Sequence, residues 1–241
     1  MYKLIFEDHF DGDTLNLDNW HIDTTGHGHG NNEDQHYTDR DKNVFVKDSL
    51  LHLVAYKEPY KHRFYTSGKI NSRNKIDVGY GKIEFRAKLP KGKGTWPAIW
   101  MLGKNINEVG WPMCGEIDIL ETVGRRHGEM HFSLHSNTYN HKIDTQITHV
   151  KTIEGIYDDF HVYTLIWKED SISYYIDDKH YVTFNKSDLD DQSMNGWPFV
   201  PPFYLIINFA IGGYFGGPID DSIFPQTFCV DYIRLYQRTN K

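Results

Sequence analysis

Apolar and polar positions alternate with a period of two along much of the chain, as they do in strands that bury one face. Residues 80–90 set Ile83 and Phe85 on one side and Lys82, Glu84 and Arg86 on the other. Comparable runs occupy residues 130–135, 160–168, 172–176 and 229–236, while residues 44–46 and 51–55, separated by turn residues, read as a meander. Residues 2–10 read as an opening strand, and Asp177-Asp178-Lys179 as a hairpin turn into residues 180–184. Residues 202–211 are too apolar to be half exposed, which predicts a central strand broken by Gly212-Gly213. Residues 26–32 have no period and too many glycines for a regular element, so a surface loop is expected there. The polar stretch 188–195 makes at most a helical turn. No internal repeat, linker or heptad interrupts this pattern, and a single all-β domain over residues 1–241 is predicted.

One strand breaks the ordinary composition. Glu116-Ile117-Asp118-Ile119-Leu120-Glu121 carries three carboxylates among strong β-formers. Glu116 and Asp118, two apart, share a face, and Ile117 and Ile119 face the core. Glu121 lies at an odd spacing from Glu116 and belongs on the opposite face. One extra residue, a β-bulge at Ile119 and Leu120, would restore the parity and bring the three acids together. The two glutamates would then be roughly 13 Å apart at the backbone, and inward-leaning side chains could close to the ~5.5 Å of a retaining glycosidase. Three clustered carboxylates cannot all ionise comfortably, so one should hold a proton near neutral pH. An ionised nucleophile beside a protonated acid is what double displacement requires. A solvated acidic strand or a calcium site is the alternative for this stretch alone.

These residues resemble the active-site signature of glycoside hydrolase family sixteen, in the bulged form of its laminarinase (endo-β-1,3-glucanase) branch. Lichenases and xyloglucan-modifying members have one residue fewer between the Asp and the second Glu. The resemblance continues through Tyr80-Gly81-Lys82-Ile83-Glu84-Phe85-Arg86 and Gly94-Thr95-Trp96-Pro97-Ala98-Ile99-Trp100. It extends to Leu205-Ile206-Ile207-Asn208-Phe209-Ala210 and to Val230-Asp231-Tyr232-Ile233-Arg234, in order along the chain. It implies an antiparallel β-sandwich of jelly-roll, concanavalin-like type with an open concave cleft, and endo-hydrolysis of β-1,3-glucan with retention. Glu116 would be the nucleophile, Glu121 the acid/base and Asp118 their proton-sharing partner; no catalytic cofactor is implied. Two other readings stay open: a mixed-linkage glucan or agarose-type hydrolase of the same family, and a non-catalytic glucan-binding, lectin-like module.

The resemblance also supplies binding candidates. His135 corresponds to a cleft histidine, and Asn32 to a sugar hydrogen-bonder in a cleft-closing loop, although a turn asparagine explains it equally. Lys69 stands where the family usually has Arg, exchanging a planar fork of donors for a point charge, and Arg73 could substitute. Among the tryptophans, Trp96 is preferred as a sugar platform and Trp100 as core, with Trp111 a second platform; core packing is the competing role for each. Relatives often hold a structural calcium, for which Glu7 and Asp231 would be the side-chain ligands. His27, His29 and His36 have no evident second shell for a metal, so solvated loop histidines are expected.

Composition narrows the partners. A net charge of −7 argues against nucleic acid, whose binding is driven by Lys and Arg on phosphates. Aromatic residues at 15% exceed what a small core needs and suit flat sugar faces. No apolar run is long enough to cross a bilayer, and a monomer acting on a neutral glucan is the expectation. Cys114 and Cys229 are the only cysteines, and two free, buried thiols are expected. Residues 1–7 do not read as a signal peptide, whereas the family is mostly secreted; secretion and a cytoplasmic location both remain open.

Overall fold

The computed structural model describes residues 1–239. Two largely antiparallel sheets face each other across one apolar core. The first runs, in spatial order, Ile147–Thr152, Glu129–His135, Glu116–Glu121, Thr95–Gly103, Phe203–Ile211, Lys69–Asn71 and His21–Ile22. The second is ordered Lys179–Asn185, Ser171–Ile176, His161–Trp167, Gly81–Lys88, Gln226–Arg238, Leu50–Tyr60, Arg63–Ser67 and Gln35–Tyr37, with Tyr2–Asp8 and Val44–Lys47 added beside Gln226–Arg238 and Leu50–Tyr60. Only Gln35–Tyr37 against Arg63–Ser67 pairs in parallel among the described residues.

Runs of sequential strands, such as Thr95–Gly103 to Ile147–Thr152 and His161–Trp167 to Lys179–Asn185, are joined by long-range pairings. Phe203–Ile211 lies between Thr95–Gly103 and Lys69–Asn71, and Gln226–Arg238 between Gly81–Lys88 and Leu50–Tyr60, which makes the fold a jelly-roll sandwich. The alternation of residues 80–90 is realised as Gly81–Lys88, with Ile83 and Phe85 in the core and Lys82, Glu84 and Arg86 half-buried on the outer face. Phe203–Ile211 is buried at every position, as its composition demands. Ile99, Ile117, Leu134 and Leu205 meet Ile83, Phe85, Leu165 and Ile233 in the inter-sheet layer. Each such side chain contributes ~1.5–3 kcal/mol by leaving water.

Three elements exceed the sequence expectation. Leu50–Tyr60 and Gln226–Arg238 run longer than their apolar centres, and Ile147–Thr152 forms a sheet edge. That edge strand is largely exposed and needs no continuous buried stripe, which is why its pattern is weak.

The decisive local feature is the register of Glu116–Glu121 on Thr95–Gly103. Asp118 pairs with Trp100, Leu120 with Ile99 and Glu121 with Ala98, so Ile119 is the unpaired extra residue. Ile119 and Leu120 both enter the core, at 2% and 0% exposure, and the chain emerges with Glu121 in phase with Glu116 and Asp118. Gly115 launches this strand at φ 79°, a conformation a side chain would strain.

Candidate active site

Glu116, Asp118 and Glu121 line a single groove of about 340 Å³ on the face of the first sheet. Each acid has a neutral or weakly basic neighbour. The Trp111 indole donates from Nε1 to Glu116 Oε2 at 2.8 Å, and Trp96 donates likewise to Glu121 Oε1 at 2.9 Å. His135, opposite Glu116 in the adjoining strand, brings Nε2 to 3.2 Å from Asp118 Oδ2 and 3.6 Å from Glu116 Oε1. Among the described residues no Lys or Arg ion-pairs with any of the three acids; His135 alone stands within ion-pair distance of Glu116 and Asp118.

Little solvent reaches them: the Glu116 side chain is 14% exposed and Asp118 4%. Burial pushes Glu116 up to about 8, with the Asp118 charge adding to it and His135 opposing. Burial does the same to Asp118, again to about 8. Glu121 also rises to about 8, through burial and then Asp118, against the Trp96 hydrogen bond. The three therefore titrate as one unit, and as the pH passes through the range around 8 the site holds ionised and protonated carboxyls side by side. That pairing can deliver a nucleophile and a proton to the same bond.

The chain matches the family described as Glycosyl hydrolases family 16 over residues 31–231. It is 40% identical over 244 residues to the beta-glucanase of Rhodothermus marinus, covering 98% of this chain and 85% of that protein. The crystal structure of a laminarinase from Flavobacterium sp. UMI-01 superposes with a TM-score of 0.90 at 43% identity, covering 98% of this chain and all of that one. A laminarinase structure from Rhodothermus marinus gives a TM-score of 0.95 at 38% identity, covering 100% and 99% of the two chains.

The chain belongs to glycosyl hydrolase family 16.

Within this family-16 groove the binding candidates divide. Lys69 lines it, 3.3 Å from Asp23 Oδ2 and 5.8 Å from the Trp100 ring. Trp96, Trp111 and His135 also gather at the acids. Trp100 corrects its expected core role: it is half-buried in the groove wall, because it shares parity with Trp96 and stands opposite Asp118. Trp96 is buried to 7% with its N–H spent on Glu121. Asn32 is an exposed turn residue at φ 55°, and it is Asn31 that lines the groove. Arg73 is not among the residues that line the groove; its guanidinium lies 5.5 Å over the Tyr204 ring.

The loop histidines also depart from expectation. His27 is exposed, but His29 is half-buried against Tyr37, and His36 is 3% exposed with Nδ1 at 2.7 Å from the Tyr37 carbonyl. Burial takes His29 down to about 3, with Lys69 adding to the effect. Both thiols are free as expected, although Cys229 is only half-buried.

The suggested calcium ligands do not fit as they stand. Glu7 is held by His9 at 2.9 Å and Arg234 at 3.5 Å, and Asp231 by Arg86 Nη1, so cations already occupy both carboxylates. Among the described residues the one group of three metal-ligating side chains is Glu116, Asp118 and His135.

Several groove residues were missed. Glu33, 5% exposed, sits in the wall beside Tyr37 and Asn208, and burial raises its carboxyl above the usual range. His141 and Lys142 cover the other end, with Lys142 Nζ 4.7 Å above Trp111. Asn208 alone left a signal, as the single polar residue within the nine-residue strand Phe203–Ile211.

Proposed function

We propose that this protein cleaves β-1,3-glucan of the laminarin type inside the chain, with retention of anomeric configuration, as a single catalytic domain. The observation that carries the reading is the Ile119 bulge, which turns Glu121 into the groove that Glu116 and Asp118 already face. Ionised Glu116 attacks the anomeric carbon while Glu121 gives its proton to the departing glycosidic oxygen. The bond to the leaving sugar breaks and a glycosyl ester forms on Glu116. Glu121, now a carboxylate, takes a proton from water, whose oxygen displaces Glu116 and completes the second inversion. The Trp111 N–H steadies the Glu116 carboxylate before attack, and Asp118 with His135 absorbs the change of charge beside it.

This chemistry draws on carboxyls alone. A lectin-like module would gain nothing from three acids buried together at such electrostatic cost, which weighs against that reading. A mixed-linkage glucan would use the same acids. Incubation with laminarin, lichenan and agarose, with the first-formed anomer followed by proton NMR, separates the possibilities. Laminarin should release β-anomeric reducing ends. No release from any of the three would overturn the hydrolase reading, and α-anomers would overturn retention. Among the described residues no helix is long and apolar enough to cross a membrane.

A further inference from the structure

At the end of the groove away from His135, polar side chains that the cleavage steps leave idle form one connected path. Trp100 Nε1 donates to Asn208 Oδ1 at 2.6 Å, and Asn208 Nδ2 donates to the Tyr37 hydroxyl at 3.0 Å. That hydroxyl donates to Glu33 Oε2 at 3.3 Å, where Gln35 Nε2 also arrives at 2.6 Å. Gln35 Oε1 in turn accepts the backbone N–H of Ile211, in the strand that carries Asn208. Every donor along the path points toward Glu33.

That uniform polarity is informative. Trp offers only a donor, so Asn208 must turn its oxygen to the indole and its amide nitrogen to Tyr37. The Tyr37 oxygen, having accepted from Asn208, sends its own hydrogen onward, and the path must end on an acceptor. Glu33 is that terminus. Glu33, Tyr37 and Asn208 are 5%, 1% and 7% exposed, so water is poorly placed to replace a missing member. Trp100 differs from Trp96 and Trp111, whose indoles are held by the acids themselves.

Resting on the hydrolase reading above, we propose that Glu33, Tyr37 and Asn208 are positioning residues. They fix the rotamer of Trp100 and thereby shape the sugar subsite that faces Asp118. Their contribution is to substrate binding; the bond-breaking groups stand apart from them.

Kinetics on laminari-oligosaccharides test this. Tyr37→Phe, nearly isosteric, removes both of the hydroxyl's hydrogen bonds and should raise KM about 5- to 10-fold, the worth of the one that orients Asn208, with kcat within about two-fold. Glu33→Ala should match it, whereas Glu33→Gln, which keeps an acceptor oxygen, should stay within about two-fold of the parent. In a Trp100→Phe background the Tyr37→Phe effect should fall below about two-fold, since the path then has nothing to orient. The proposal is overturned if Tyr37→Phe leaves KM unchanged, or if it costs the same with and without the Trp100 indole. Should Glu33→Ala fail to fold, the Tyr37 and Trp100 cycle decides alone. A parent protein inactive on every glucan would sink the hydrolase reading, whereas an active parent with unmoved KM values sinks only this inference.

Discussion

Glu116 and Glu84 are about equally covered, at 14% and 13% side-chain exposure, yet the molecule treats them in opposite ways. On the outer sheet Glu84 has Lys82 Nζ at 2.8 Å and Arg234 Nη1 at 3.8 Å. Glu58 in the same sheet is met by Arg40 and Lys42 at 2.5 and 2.9 Å. Burial pushes Glu58 up, but hydrogen bonds from Lys42, Thr66 and Arg40 outweigh it and hold the carboxyl at about 2. In the groove, among the described residues, the acids receive only indole N–H groups and an imidazole. Burying a carboxyl therefore does not make it a proton donor; burying it beyond ion-pair reach of lysine and arginine does.

The largest test of that contrast is Glu116→Gln. Turnover of laminarin should fall by roughly 10⁴-fold or more, while glucan binding stays measurable by affinity electrophoresis. Near-normal turnover would refute the assignment. A smaller effect is expected from Asp118→Asn, which removes the charge that helps to raise both glutamates. Their titrations then move down, and the alkaline limb of kcat/KM should shift roughly one unit toward acid. A shift toward base would mean that Asp118 acts on them in some other way.

The phase argument explains both what was legible and what was not. Glu121 is out of step with Glu116 by simple counting, and only an inserted residue could reconcile a catalytic role with the strand, so the bulge was readable in advance. The same parity places Trp100 with Trp96 and Asp118; its expected core role came from setting that rule aside. Glu33 and Tyr37 stayed hidden because their function depends on Asn208, 171 residues beyond Tyr37, and no local pattern encodes such a contact. Asn31 and Asn32 are indistinguishable until the turn at Asn32 is seen. Glu7 and Asp231 look like metal ligands only while their cations are unknown.

The smallest predicted effects are on stability, and they should have opposite signs. Glu58 has a folded pKa below the ordinary 4.5, so it stabilises the fold above that value and loses the contribution as pH falls toward about 2. Glu58→Gln should therefore cost ~1–2 kcal/mol at pH 7 after allowance for solvent screening, a fall of a few °C in Tm that narrows as the medium is acidified. Glu116 is raised from 4.5 to about 8, so the unfolded chain sheds its proton first, and stability is lost as pH climbs through that interval. Glu116→Gln cannot ionise. It should leave Tm nearly unchanged at pH 4.5 and raise it by a few °C at pH 8, measured by differential scanning calorimetry. If both variants instead lowered Tm at pH 8, the groove acids would be gaining stability from ionisation as Glu58 does, and the division between the two sheets would not hold.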